Sequence, residues 1–168
     1  MTGFEKYSNI AVIVVASVVI GTNLYDHFGL QAPKPKQLTG KPLPGSSITG
    51  NQGTITLFIS KDCHFCTDSM DFYRRLSDLR ATTPCDIKLV AAGPRNRETR
   101  EDIQTYLAKH DLAVDGIEML NFSCLGVSGT PTLVLQGASR LVRAVWFGYL
   151  PEASENEVLS KTKSFCQG

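Results

Sequence analysis

A chain of 168 residues, 42% apolar and 20% charged, has enough hydrophobic side chain for one ordinary core and too much for a disordered polypeptide. A formal net charge of +1 leaves no basic field for nucleic acid and no acidic tail, so function has to be sought in a site. Five cysteines are too few to staple a mini-protein, and their odd number leaves one without an intrachain partner if the others pair.

From Tyr7 to Tyr25 the chain carries no charge, with an apolar run from Ile10 to Ile20 at its centre. At ~1.5 Å rise per residue this stretch is about long enough to cross a bilayer, and the edge tyrosines suit the interfaces. Residues 1–28 are therefore expected to form an N-terminal transmembrane anchor or signal-anchor, with residues 7–25 in the membrane. A cleaved secretory signal and a buried core helix are the competing readings, and no good small-residue cleavage site follows the run. Lys6 is offset by Glu5 while Lys34, Lys36 and Lys41 lie beyond the segment, so charge bias alone does not place the rest of the chain outside. An extracytoplasmic domain, periplasmic or on the outer face of the cytoplasmic membrane, is expected because a short N-terminal segment before a soluble domain acts as a signal-anchor. Residues 29–45, with Pro33, Pro35, Pro42 and Pro44, read as a semi-rigid extended spacer, leaving 46–168 as the folded domain.

Within that domain Thr54 to Ser60 is β-branched and aromatic after a turn-prone Gly50–Gly53, which predicts a mostly buried strand. Met70, Tyr73 and Leu76 recur at helical spacing, so a helix is expected from His64 to about Leu79. A strand over Asp86 to Ala92 and a helix over Glu98 to His110 follow, then a less regular stretch from Asp111 to Val127. Thr132 to Leu135 and Leu141 to Phe147 read as two strands joined through Gly137, and Pro151 starts a closing helix to Phe165. This order predicts an α/β fold: a mixed central sheet with helices on both faces and right-handed crossovers. Trp146 and Phe147 are expected in the core.

Cys63-His64-Phe65-Cys66 stands at the predicted strand-to-helix junction. Unsatisfied backbone N–H groups there favour a thiolate, so Cys63 is the expected nucleophile. Cys66, one turn on, can resolve a mixed disulfide formed on Cys63. The alternative, half of a zinc site, lacks a second close pair of ligands, and His27, His64 and His110 are scattered. Cys85, Cys124 and Cys166 are isolated and read as buried small apolar residues; a Cys85–Cys124 disulfide is the other possibility. Lys61 and Asp62 read as solvated loop residues.

A second signal is Gly126 to Leu135, where Pro131 immediately precedes a predicted strand. A cis Thr130–Pro131 bond there would open the backbone of Thr130 to an extended substrate segment.

Phe58 to Cys66, Gly129-Thr130-Pro131-Thr132 and the order of elements between and after them resemble the thioredoxin superfamily, over roughly Leu43 to Cys166. The long stretch between the cysteines and Pro131, with the tether, resembles the membrane-anchored redoxin and TlpA-like branch more than a minimal cytosolic thioredoxin. The resemblance implies a thioredoxin-like fold and a thiol-disulfide oxidoreductase in which Cys63 attacks, Cys66 resolves, and Thr130 and Pro131 contact substrate. Departures are plain. Asp62 replaces the common tryptophan before the first cysteine, Leu57 stands where many relatives bury an acid, and His64 is the first rather than the second intervening residue.

The expected function is disulfide exchange with extracytoplasmic protein substrates, with a second redox protein resetting the pair and no bound cofactor. His64 is a possible tuning residue. Electron direction is left open. The runner-up is a copper-binding or copper-delivery module on the same fold, with both thiolates and a histidine as ligands.

Overall fold

The structure, a computed structural model, describes residues 38–165; the predicted anchor and residues 29–37 of the spacer lie outside them. In chain order the elements are β1 (Gly53–Phe58), α1 (His64–Asp68), α2 (Met70–Thr82), β2 (Ile87–Pro94), α3 (Arg100–Lys109), β3 (Gly116–Leu120), a 3-10 turn (Ser123–Leu125), β4 (Thr132–Gly137), β5 (Val142–Phe147) and α4 (Glu152–Phe165). Every residue of β1 and β4 is buried, as β-branched and aromatic runs without breakers require in central strands. The sheet order is β3-β2-β1-β4-β5. β1 pairs parallel with β2 and β2 with β3, whereas β4 runs antiparallel to both β1 and β5.

The order explains a departure from the sequence reading. β1, β2 and β3 step across the sheet in one direction, so crossovers of the same hand put both of their helices on the same face. Ile55, Leu57, Leu89, Ala91, Leu133 and Leu135 on that face form one cluster with Phe72 and Leu76 of α2, Ile103 and Leu107 of α3, and Val158 of α4. The opposite face, with Phe58, Ala92, Val134 and Val145, carries no α-helix among the described residues. Leu38, Leu43, Leu125 and Val127 cover it instead.

Residues 38–45, which prolines and missing periodicity mark as the end of a spacer, thus lie on the sheet. Leu38 is 9% and Leu43 5% exposed. Gly40 N donates to Val142 O at 2.8 Å, Val142 N donates to Lys41 O at 2.9 Å, and Pro42 forms an isolated bridge to Leu141. Proline lacks a donor but tolerates a sheet edge, which is where it sits.

The strand β3 falls in the stretch read as irregular. Its centre is Glu118, a carboxylate only 5% exposed that accepts from Ser47 N, Ser47 Oγ and Ile48 N at 2.5, 3.0 and 2.9 Å. A buried acid breaks the apolar pattern by which strands are recognised, and donors far along the chain satisfy it. Trp146 and Phe147 are half-buried and pack against opposite clusters.

Candidate active site

The helix after β1, expected to be continuous, is broken at Ser69. Ser69 Oγ donates to Phe65 O at 2.8 Å, the back-bonding by which serine bends helices. The outcome is a single short turn, α1, whose N-cap is Cys63.

Cys63 and Cys66 are joined as a disulfide, with Cα atoms 5.2 Å apart. Cys63 Sγ also accepts from the backbone N–H of Cys66 at 3.1 Å. An N–H aimed at this sulfur stabilises negative charge on it, which is what a nucleophilic thiolate needs. The two sulfurs are unequally reachable: Cys63 is half-buried and Cys66 has no exposed surface.

Thr130 and Pro131 are joined by a cis bond, as expected. Phe58 of β1 pairs with Thr132 of β4, so the cysteine loop leaves the sheet at the end where the Thr130-Pro131 loop enters it. Gly148 N donates to Pro131 O at 2.8 Å, and Thr132 Oγ1 donates to Gly129 O at 2.7 Å, so both flanks of the loop are fixed. Between the loops lies a groove of about 180 Å³ lined by Ser60, Arg97, Phe122, Ser128, Gly129 and Thr130. A larger groove of about 740 Å³, bordered by Gln52, Gly137 and Lys161, lies at the other end of the sheet away from the thiol chemistry.

His64 is 83% exposed at its side chain, its Nε2 3.3 Å from Asp68 Oδ2 one turn along. Among the described residues no three His, Cys, Asp or Glu side chains are placed to share a metal ion. Cys124 is exposed and free, and Cys85 is half-buried and disulfide-bonded. A Cys85–Cys124 disulfide is therefore absent, and neither residue is a buried free thiol. Cys124 sits on the 3-10 turn, which leaves its side chain facing water. Cys166 lies outside the described residues.

Lys61 and Asp62 are exposed, yet Lys61 is engaged. Its Nζ lies 2.7 Å from Asp102 Oδ1 in the first turn of α3. The hydrogen bond from Lys61, with further donors from Thr99, holds the Asp102 carboxyl down at about 2, and the same pairing raises the Lys61 ammonium above its ordinary value. Asp102 and Thr99 form a reciprocal capping box at the start of α3.

The helix there begins after Glu98, which the sequence reading placed inside it. Glu98 is 7% exposed, and its Oε1 accepts from Ser60 Oγ at 2.5 Å and Lys61 N at 3.1 Å. The Thr99-x-x-Asp102 pattern is the sign in the sequence that Thr99 caps the helix and Arg100 starts it, two residues later. Tyr106, whose ring suits the apolar face of this helix, also reaches toward the site: its hydroxyl lies 3.1 Å from Thr67 Oγ1, next to Cys66.

This arrangement is the thioredoxin-like fold: a mixed five-stranded sheet, a Cys-x-x-Cys pair at the end of a central strand, and a cis-proline loop at that same sheet end. Solved structures of the same fold include a protein of Chlorobium tepidum assigned as the thiol:disulfide interchange protein DsbE, at 16% identity and TM-score 0.59, covering 76% of this chain and 97% of that one. StoA of Bacillus subtilis matches at 17% identity and TM-score 0.55, covering 74% of this chain and 94% of its own. A protein of Bacteroides thetaiotaomicron assigned as a protein disulfide isomerase matches at 14% identity and TM-score 0.63, covering 77% and 91%. No family model matches the chain, and no curated protein matches it.

Proposed function

We propose that this protein is a membrane-tethered thiol-disulfide oxidoreductase that exchanges disulfides with extracytoplasmic protein substrates through Cys63 and Cys66. The observation that carries the reading is the asymmetry of the pair. A reachable Cys63 accepts the Cys66 N–H, and an enclosed Cys66 is bonded to it. The protein structures it resembles in fold include several titled thiol:disulfide interchange proteins and disulfide isomerases.

In the reduced protein the Cys63 thiolate attacks a substrate disulfide. A Cys63–substrate S–S bond forms, the substrate's own S–S bond breaks, and the departing sulfur takes a proton from solvent. Cys66, having given up its proton, then attacks Cys63 Sγ, closes the Cys63–Cys66 bond and releases the second substrate thiolate, which is protonated in turn. Two electrons pass from the pair to the substrate. With a substrate dithiol and an oxidised pair, every step runs backward, and potential sets the direction.

Thr130 and Pro131 hold the substrate backbone, Thr130 from the wall of the groove beside Ser60, and His64, when charged, favours the Cys63 thiolate from the neighbouring position. The uncharged run 7–25 supplies the tether, and the domain sits outside the cytoplasm, where disulfides persist.

Insulin-disulfide reduction by the full-length chain, beside its Cys63→Ser variant, tests the chemistry: the wild type is expected to turn over and the variant not. Absence of exchange with any dithiol or disulfide would overturn the reading. Retention in membranes at full length after carbonate washing tests the tether, and a shortened soluble product would sink it.

A further inference from the structure

Glu98 belongs to no part of that mechanism, yet its surroundings set it apart from an ordinary surface glutamate. It is 7% exposed, one oxygen accepts two hydrogen bonds from the turn before Cys63, and the other, Oε2, is buried without a partner among the described residues. A buried carboxylate oxygen with no donor costs free energy, a feature Glu98 shares with Glu118, and what distinguishes Glu98 is where its bonds lead.

Its bonds lead directly to the disulfide. Ser60 donates its hydroxyl to Glu98, and Ser60 O accepts from Cys63 N at 3.2 Å. The field of Glu98 falls on Lys61, immediately before Asp62 and Cys63, and on Tyr106, whose hydroxyl meets Thr67 beside Cys66. We propose that Glu98 is a positioning residue of the Cys63–Cys66 pair: its carboxylate fixes the Ser60-Lys61 turn that presents Cys63, and its negative charge biases the pair toward the disulfide. The inference rests on the thiol-exchange reading above.

The direction follows from charge. Reduction by an external dithiol delivers two electrons and two protons to the pair, oxidises that dithiol to its disulfide, and leaves Cys63 able to ionise by releasing one proton to water. A neighbouring carboxylate disfavours the resulting thiolate and therefore the reduced state. Lys61 from the same turn opposes this effect, and Asp62, Asp68 of α1 and Asp102 of α3 reinforce it. His64 of α1 opposes it when charged, and the buried Tyr106 is neutral, its phenol pushed up by burial. Glu98 differs from the other acids in being shielded from solvent, so its influence is screened least.

The test is the equilibrium of the full-length chain with glutathione over a range of redox ratios, for wild type, Glu98→Gln and Glu98→Met. Glutamine keeps an acceptor for Ser60 and Lys61 without the charge, and methionine removes both, so one usable variant suffices if the other folds poorly. Glu118→Gln is the control, a second buried glutamate on the far edge strand.

Removing the charge at position 98 is expected to shift the equilibrium about tenfold toward the reduced pair, equivalent to about 30 mV. The pH profile of Cys63 alkylation should move to lower pH, while Glu118→Gln stays at the wild-type ratio. A wild type that exchanges normally, with Glu98 variants within twofold of it or with Glu118→Gln shifted equally, overturns the inference alone. A wild type that never exchanges with glutathione overturns the enzyme reading and this inference with it.

Discussion

The Lys61 ammonium lies 2.7 Å from Asp102 Oδ1, which ties the turn in front of Cys63 to the first turn of α3. The same carboxylate caps that helix by accepting from Thr99 N through Oδ2 at 2.9 Å. One acid thus joins a helix start to the redox loop.

Because the folded Asp102 carboxyl sits at about 2, below its ordinary 3.8, the contribution of this unit is complete above about pH 4 and is lost as pH falls toward 2. Urea unfolding of wild type and Asp102→Asn between pH 6 and pH 2.5 should show a gap that is constant at the upper end and narrows below pH 4. A gap that widens on acidification would contradict the assignment.

Thr99→Ala removes the other half of the capping box and is expected to cost about 1 kcal/mol of stability. Chemical denaturation measures it. Since Thr99 touches neither sulfur nor the Glu98 carboxylate, thiol exchange in the folded variant should remain within about twofold of wild type; a tenfold loss would mean that α3 governs the site more directly than its contacts indicate.

Cys66→Ser leaves a nucleophile without its resolver. Incubated with a disulfide substrate, it is expected to accumulate a mixed disulfide through Cys63, visible as added mass that dithiothreitol removes, whereas Cys63→Ser accumulates none. Equal trapping by both variants would contradict the assignment of attacker and resolver.

Leu43→Ala tests whether the segment before β1 is part of the fold. Leu43 is 5% exposed within the cluster on the face opposite α2 and α3, so truncation should cost about 2 to 3 kcal/mol in denaturant unfolding. A flexible spacer would give no measurable change.

Local chemistry made the cysteines and Pro131 legible in the sequence, because a Cys-x-x-Cys after a β-branched run and a proline before another strand have few physical solutions. The core strands were equally readable from β-branched runs, with ends displaced by a residue or two. What escaped depended on partners far along the chain. β3 is disguised by Glu118, whose donors come from Ser47 and Ile48. Glu98 looks like the polar face of a helix until Ser60 and Lys61 fold onto it. The placement of α2 and α3 on one face follows from strand order, which periodicity does not encode, and Val158 of α4 packs on that same face.

Helices on one face and, among the described residues, irregular chain on the other give the domain two halves of unequal cohesion. On one side, helices with their own internal hydrogen bonds lock Cys66 into the larger cluster. On the other, irregular chain around Leu38, Leu43 and Val127 is held by a few side chains and a short run of backbone bonds to β5. Low-energy openings of a fold begin where such support is thinnest. The segment 38–45 is therefore where the first local opening is expected, with Cys66 held in the helical half, and native-state hydrogen exchange at the Gly40 and Val142 amides would register it.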